Sequence, residues 1–142
     1  MTIIGSHGVR HSRHEVDYAR ASGIRTISLG EVRERGLPSV REELAGRFDG
    51  PAGVYVSFDI DVVDPSDCPG QKYPEAAGLS GAEAVELVRA VSGIRPLAGF
   101  DVCCFAPRYD EGHRGALLAA RLALEAVYAC ARHARARGVG RD

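Results

Sequence analysis

Two aspartates, Asp59 and Asp61, follow an apolar segment of β-strand character at residues 54–58. Side chains two residues apart on a strand point to the same side, so the two carboxylates are expected to lie next to each other. Neighbouring carboxylates repel unless a cation or a proton lies between them, and hard divalent ions such as magnesium and manganese prefer oxygen ligands over zinc-type donors. The pattern therefore predicts half of a metal site. By itself it leaves open a solvated turn at the end of a strand.

The elements that must position these residues alternate between strand and helix. Strands are predicted at residues 2–5, 25–29, 53–61 and 96–105. Helices are predicted from S-x-x-E capping boxes at 12–15, 39–42 and 80–83, ending at Gly23, near Phe48 and at Gly93. A last helix is predicted from residue 111 or 113 to 138, and its expected apolar face consists of Leu117, Ala120, Leu124, Val127 and Ala131. This alternation predicts the α/β class, with a parallel sheet between two helical layers.

In such a sheet, ligands bind at the carboxyl ends of the strands. Asp59 and Asp61 fall at one such end, and the loop after Phe105 falls at another. Residues 62–79 form a long loop after the aspartates, and an ordered loop of that length commonly has a function. The predicted topology therefore places the candidate ligands where a ligand site is expected.

Three blocks of sequence resemble the ureohydrolase family, the arginases and agmatinases. The first begins with S-F-D-I-D-V-V-D-P at 57–65 and continues to Ser80, the second is 99–110, and the third is 3–10. The resemblance implies a three-layer α-β-α fold of the arginase type, of which this chain represents about half, the carboxy-terminal half. The whole of 1–142 is expected to form one domain of this kind.

The family resemblance also implies an activity. It implies two manganese ions (Mn2+) and the hydrolysis of a linear guanidino compound, agmatine-like, to an amine and urea. Asp59 and Asp61 match the second ligand pair of that metal site. Cys104 falls at the position of the glutamate with which the family pairs the guanidinium of its substrate, so it is the candidate substrate-binding residue.

The sequence departs from the family pattern in three ways. The family's early G-G-D-H and D-x-H-x-D ligand segments have no counterpart in the chain. A thiol at Cys104 lacks the charge-assisted hydrogen bonding that a carboxylate offers a planar cation. The loop is altered at 70–78, where Lys72 adds a positive charge near a site expected to receive a cation.

Several functions therefore stay open. The chain could be a ureohydrolase that gains its missing ligands from a separate polypeptide, or a catalytically inactive remnant that acts as a structural or binding partner. A hydrolase with one metal at Asp59, Asp61 and a histidine is a weaker alternative. A nucleotide-binding module is weaker still, because no glycine-rich loop of the required form follows the first strand.

Composition narrows the classes further. A chain of 142 residues, 45% of them hydrophobic and 26% charged, can form one globular domain with a core. A net charge of -1 argues against binding to nucleic acid or to an anionic membrane. No apolar run approaches the roughly 20 residues of a membrane span, so we expect a cytoplasmic protein.

The cysteines and histidines are expected to have no metal-binding role. Neither a disulfide framework nor the C-x-x-C spacing of a zinc site is found among Cys68, Cys103, Cys104 and Cys130, so reduced thiols are predicted. The adjacent pair Cys103 and Cys104 lies in an apolar strand pattern and is expected simply to pack there. His7, His11 and His14 crowd the start of the first helix and are expected to be solvated.

The family resemblance also predicts a gap in the sheet. It implies that a strand of the absent half lies between the first two strands and the last two. The chain would then close the gap by direct pairing, form a homo-oligomer, or bind a complementary half-chain, because unpaired strand edges and uncovered apolar faces are costly.

Overall fold

The computed structural model describes residues 1–9, 11–50, 53–136 and 138. In these residues strands and α-helices alternate along the chain. The strands are β1 (Thr2–Ser6), β2 (Arg25–Ser28), β3 (Val54–Asp59) and β4 (Leu97–Cys103). The helices are α1 (Arg13–Ala21), α2 (Leu29–Arg47), α3 (Gly81–Ser92) and α4 (Arg114–Ala136). Short 3₁₀ turns follow β3 at Ile60–Val62 and β4 at Pro107–Tyr109 and Glu111–His113. The predicted parallel α/β arrangement is confirmed.

β1 and β2 form a parallel pair with a helix on each face. Ile4 and Ile27 pack on the side of α2, in a core cluster built on Val32, Val40 and Leu44. Ile3 and Thr26, the adjacent residues on the two strands, line a cavity beneath α1 instead. Successive side chains of a strand point to opposite faces, so α1 and α2 lie on opposite sides of this pair.

β3 and β4 form a second parallel pair, covered by helices on one face. Phe58 on β3 is buried there, in the main core cluster with Leu87 and Val88 of α3 and Leu122 of α4. The residues that alternate with Phe58 on β3 are exposed, namely Tyr55, Ser57 and Asp59. Tyr55 and Ser57 both donate hydrogen bonds to Asp101 on β4. This second face of the pair is therefore polar and open.

The two pairs do not join into one sheet. Within the described residues β1 is hydrogen-bonded to β2 and β3 to β4, and no ladder connects β1 to β3. A cleft of about 650 Å³ separates them, and its walls are residues 1–4 and 54–59. The pairs meet at their carboxyl ends, where a Cβ added at Gly5 would stand 2.7 Å from Val62 Cγ2. Direct strand pairing, one of the three expected solutions to the gap, is not found in the part of the chain that the structure describes.

Capping explains most helix boundaries. Ser12 and Glu15 form a reciprocal capping box at the start of α1, as do Ser80 and Glu83 at the start of α3, and α3 ends at Gly93. These boundaries confirm the sequence prediction.

The predicted start of the second helix was wrong. The helix begins at Leu29, capped by Ser28, and Ser39 lies inside it. Gly36 has φ 74° and ψ 155°, so it breaks α2 into two helical segments. Pro38 then occupies the first turn of the second segment, where a missing N–H costs nothing. Because of this kink, the sequence pattern predicted only the second segment as a helix and left out residues 29–35.

The predicted apolar face of α4 was also wrong. Leu117, Leu124 and Val127 are exposed by 64% or more. The buried side of α4 contains Gly115, Leu122, Ala126 and Ala129 instead. The helix carries apolar residues on two sides, so a period of 3.6 residues fits both, and only packing against α3 and β4 selects one.

No helix in the described ranges combines the length and hydropathy needed to cross a membrane.

Candidate metal and ligand site at the carboxyl ends of β3 and β4

Asp59 and Asp61 lie at the carboxyl end of β3, but on different kinds of backbone. The strand ends at Asp59, and Asp61 belongs to the 3₁₀ turn Ile60–Val62. The Asp59 carboxylate accepts a hydrogen bond from the Asp61 N–H at 3.0 Å, which stabilises this turn. The expectation that both residues continue one strand was therefore wrong, since the side-chain hydrogen bond of Asp59 ends the strand early.

The long loop holds Asp61 in place. The Asp61 carboxylate accepts the backbone N–H of Lys72 at 3.2 Å and that of Tyr73 at 3.3 Å. Burial raises the pKa of Asp61 and the charge of Asp59 adds to this effect, while the Tyr73 and Lys72 N–H groups oppose it. The Lys72 ammonium lies over the Tyr73 ring, 5.3 Å from its centroid.

Gln71 ties the same loop to the 3₁₀ turn, a role that was not predicted from the sequence. It is 2% exposed, and its side-chain amide donates to the carbonyls of Ile60 at 3.2 Å and Val63 at 2.5 Å. A glutamine among loop residues carries no periodic signal, so only the folded chain shows that it is buried. The loop is therefore hydrogen-bonded to the backbone on both sides of Asp61.

Cys103 and Cys104 meet the aspartates from β4. Cys103 pairs in register with Asp59 across the two strands. Cys104 follows the end of β4 with φ 60°, a left-handed conformation that is uncommon for residues other than glycine. One carboxylate oxygen of Asp59 and the two sulfur atoms all lie within 4.8 Å of one another. The prediction that the thiols merely pack in a strand did not anticipate this cluster.

The Cys104 thiol lies in an environment that disfavours its anion. Burial raises the pKa of Cys104 to about 12, with further contributions from a hydrogen bond to Asp59 and from the charges of Asp59, Cys103 and Asp61. Without a cation nearby, this thiol is therefore protonated at neutral pH and can donate to a carboxylate.

Asp110 is a second residue whose role emerges only in the fold. It is 8% exposed and accepts the N–H groups of Gly115 at 2.7 Å and Ala116 at 2.9 Å, in the first turn of α4. Its carboxylate therefore caps a helix whose first N–H groups would otherwise lack acceptors. It stabilises the segment that follows the site.

The histidines lie apart from the thiol and carboxylate cluster. Nδ1 of His7 contacts the Gly5 carbonyl at 3.2 Å, and His11 contacts Ser6 Oγ at 3.0 Å, while His14 is exposed on α1. In the part of the chain that the structure describes, the group that could hold a metal consists of Asp59, Cys103 and Cys104, without a histidine. The donors that meet are therefore carboxylates and thiols. Carboxylates suit manganese, but thiols do not.

Comparisons with known proteins agree with this architecture. The model of the arginase family matches residues 1–129. Proclavaminate amidinohydrolase from Streptomyces clavuligerus is 37% identical over 132 residues, which are 93% of this chain and 42% of that relative. Its solved structure is similar with a TM-score of 0.82 at 36% identity, over 94% of this chain and 43% of that one.

Two further relatives carry different names. Guanidinopropionase from Pseudomonas aeruginosa is 38% identical over 86% of this chain and 38% of its own length. Agmatinase from Sodalis glossinidius is 37% identical over 79% of this chain and 36% of its own length. The chain thus spans roughly 40% of the relatives that it matches. Because the family model matches residues 1–129 and the fold is that of the amidinohydrolase, the chain belongs to the arginase family.

Proposed function

We propose that the chain is one half of a ureohydrolase-type enzyme that hydrolyses a small, linear guanidino compound to an amine and urea. A second polypeptide would supply the ligands that this chain lacks. The observation that carries the proposal is the position of Asp59 and Asp61 at the carboxyl end of β3, where the parallel strand β4 ends with Cys103 beside Asp59 and where Asp59 lines an open cleft.

The electrostatics of the site support a cationic ligand. The Asp59 carboxylate accepts the Asp61 N–H, the charge of Asp59 helps to raise the pKa of Asp61, and the Lys72 ammonium is stacked on the Tyr73 ring. Carboxylates concentrated in a concave region attract cations. The names of the relatives refer to agmatine, guanidinopropionate and proclavaminate, and we propose an agmatine-like guanidino substrate by analogy.

The fit to the manganese pair that the family resemblance implies is incomplete. Asp59 and Asp61 offer oxygen donors, and the sulfur atoms of Cys103 and Cys104 lie within 4.8 Å of an Asp59 oxygen. Two carboxylates alone do not hold two metal ions tightly, because a dinuclear site needs several more ligands to fix its geometry. The complete site therefore requires donors from outside this chain.

The proposal is tested by complementation. The chain is mixed with the portion of Streptomyces clavuligerus proclavaminate amidinohydrolase that it does not cover, and urea release from agmatine, arginine and guanidinobutyrate is measured with manganese present. We expect negligible urea from the chain alone and measurable release from the complex. The double variant Asp59→Asn with Asp61→Asn is expected to abolish release, while Asp49→Asn, an exposed residue paired with Arg95, leaves it unchanged.

Three results would contradict the proposal. Turnover by the chain alone within about tenfold of the usual kcat range of 1–10³ per second would remove the need for a second polypeptide. A complex that forms but releases no urea would favour an inactive structural partner. Failure of the two parts to associate would contradict the assembly itself.

A further inference from the structure

We propose that the chain itself binds one thiophilic divalent cation, of which zinc is the probe, through Cys103, Cys104 and Asp59. The three donor atoms lie within 4.8 Å of one another at the carboxyl ends of β3 and β4. This inference concerns the chain's own donors, so it requires neither hydrolysis nor a second polypeptide.

The spacing suits a tetrahedral site after a small adjustment. Zinc bonds to thiolate sulfur at about 2.3 Å and to carboxylate oxygen at about 2.0 Å, so donors in a tetrahedron stand about 3.5 to 3.8 Å apart. The three side chains are exposed or half-buried, so they can rotate. Such a rotation moves each donor atom by roughly 1 Å, which closes the cluster to that distance. Three protein donors with an open fourth position is also the arrangement of catalytic zinc sites.

The backbone explains how two consecutive cysteines share one site. Neighbouring side chains on a regular strand point to opposite faces, which would separate the two thiols. β4 ends at Cys103, and the left-handed conformation of Cys104 (φ 60°) departs from the extended chain at the next residue. This turn brings both sulfur atoms to the Asp59 carboxylate.

The donor chemistry selects the ion. Thiolates favour zinc and other soft or borderline ions, whereas manganese lies at the weak end of the divalent series for the same ligands. Asp61 adds a further carboxylate beside the cluster, because its backbone N–H is hydrogen-bonded to the Asp59 carboxylate. The chain alone is therefore expected to prefer zinc to the manganese implied by its family.

The test uses cobalt(II) as a coloured substitute for zinc on the metal-free, purified chain. We expect one equivalent to give the intense visible bands of tetrahedral cobalt and a sulfur-to-cobalt charge-transfer band in the near ultraviolet. Zinc is expected to abolish both bands at stoichiometric concentration, and a hundredfold excess of manganese is expected to leave them. The double variant Cys103→Ser with Cys104→Ser should lose at least tenfold in affinity together with the charge-transfer band. Cys130→Ser, an exposed cysteine on α4, should behave as the wild type.

A second measurement needs no variant. Zinc is expected to slow alkylation of Cys103 and Cys104 in the wild-type chain, as mapped by peptide mass spectrometry, and to leave Cys130 reactive. The proposal is overturned if the wild type gives no charge-transfer band, if the band survives in the folded double variant, if manganese competes as well as zinc, or if zinc protects Cys130 instead.

Discussion

Asp61 illustrates how single residues at this site depend on distant partners. Its carboxylate is held by N–H groups 11 and 12 residues away, on a loop that Gln71 ties to the 3₁₀ turn. The two ends of that loop are also hydrogen-bonded to each other. Asp64 N–H donates to the Leu79 carbonyl at 2.8 Å, and Leu79 N–H donates to the Val62 carbonyl at 2.9 Å. Side chains at the site are therefore positioned by how tightly the two ends of the loop approach each other.

Gly78 is the residue that permits this approach. A Cβ there would stand 2.6 Å from Asp64 N and 2.7 Å from Val62 O, which are backbone atoms that cannot move aside. We expect Gly78→Ala to lower the free energy of unfolding by about 1–3 kcal/mol, the usual cost of overpacking. Urea unfolding of the variant and the wild type measures this difference in the free energy of unfolding.

The matched control for this prediction has the opposite sign. Gly46 lies inside α2 with no heavy atom within 4 Å of an added Cβ. Gly46→Ala should therefore stabilise the chain by up to about 1 kcal/mol. A Gly78→Ala variant as stable as the wild type would show that the loop can open at no cost.

At the scale of elements, one arginine joins α2, the loop and α3. The Arg33 guanidinium forms an ion pair with Glu83 at 3.2 Å and donates to the Gly78 carbonyl at 2.9 Å. Glu83 also accepts the Ser80 N–H of the capping box at 2.7 Å. The hydrogen bond from Arg33, followed by that from Ser80, lowers the pKa of Glu83 to about 2.

This arrangement predicts a pH dependence of stability. Because the pKa of Glu83 is lower in the folded chain than its ordinary value of 4.5, its contribution is complete above about pH 4.5 and is lost as the pH falls towards 2. Both partners are more than a third exposed, so the contribution is about 1 kcal/mol or less. Glu83→Gln should flatten the decline of the unfolding free energy between pH 5 and 2.5, measured by urea titration at each pH.

Glu86→Gln is the control for Glu83→Gln. Glu86 lies on the same helix and is 58% exposed, and its partner Arg89 keeps a second ion pair, with Glu125. Its substitution should leave the acid decline unchanged. Equal flattening by both variants would argue against a specific role for the Arg33 contact.

At the scale of the whole molecule, the fold leaves the open cleft and the polar face of β3–β4 without cover. The apolar floor between the two strand pairs consists of Leu44 of α2, Phe48 directly after α2, and Val88 and Val91 of α3. Residues of β1 and β3 line the same cleft, and within the described residues no ladder joins the two strands. Strand edges of this kind pair readily with another chain. Insertion of a full strand requires the pairs to separate where Gly5 meets Val62.

We therefore expect the chain to associate through this cleft. Sedimentation at micromolar concentration should show a species larger than the monomer. Ile3→Lys, which places a charge where β1 borders both the cleft and the cavity beneath α1, should weaken association. Leu124→Lys, on the exposed side of α4, should not. The reverse result would place the interface on α4, and a cooperatively folded monomer at every concentration would contradict association altogether.

Sequence alone determined the features that depend on short-range physics. Alternating strands and helices, the capping boxes at Ser12 and Ser80, and the carboxylates at the end of β3 were all predicted. Each depends on hydrogen bonds or periodicities within a few residues, so each can be seen in a short window. The family was recognised for a similar reason, since its motifs are contiguous.

Tertiary structure alone decided the rest. Two apolar stripes on α4 are equivalent until a neighbouring layer buries one of them. The position of Gln71 under Asp61 depends on the closure of a loop, and the meeting of Cys104 with Asp59 requires a left-handed residue at the end of one strand and the register of another. In each case the alternatives have similar local energies. Long-range packing selects between them, because only the assembled core distinguishes a buried face from an exposed one.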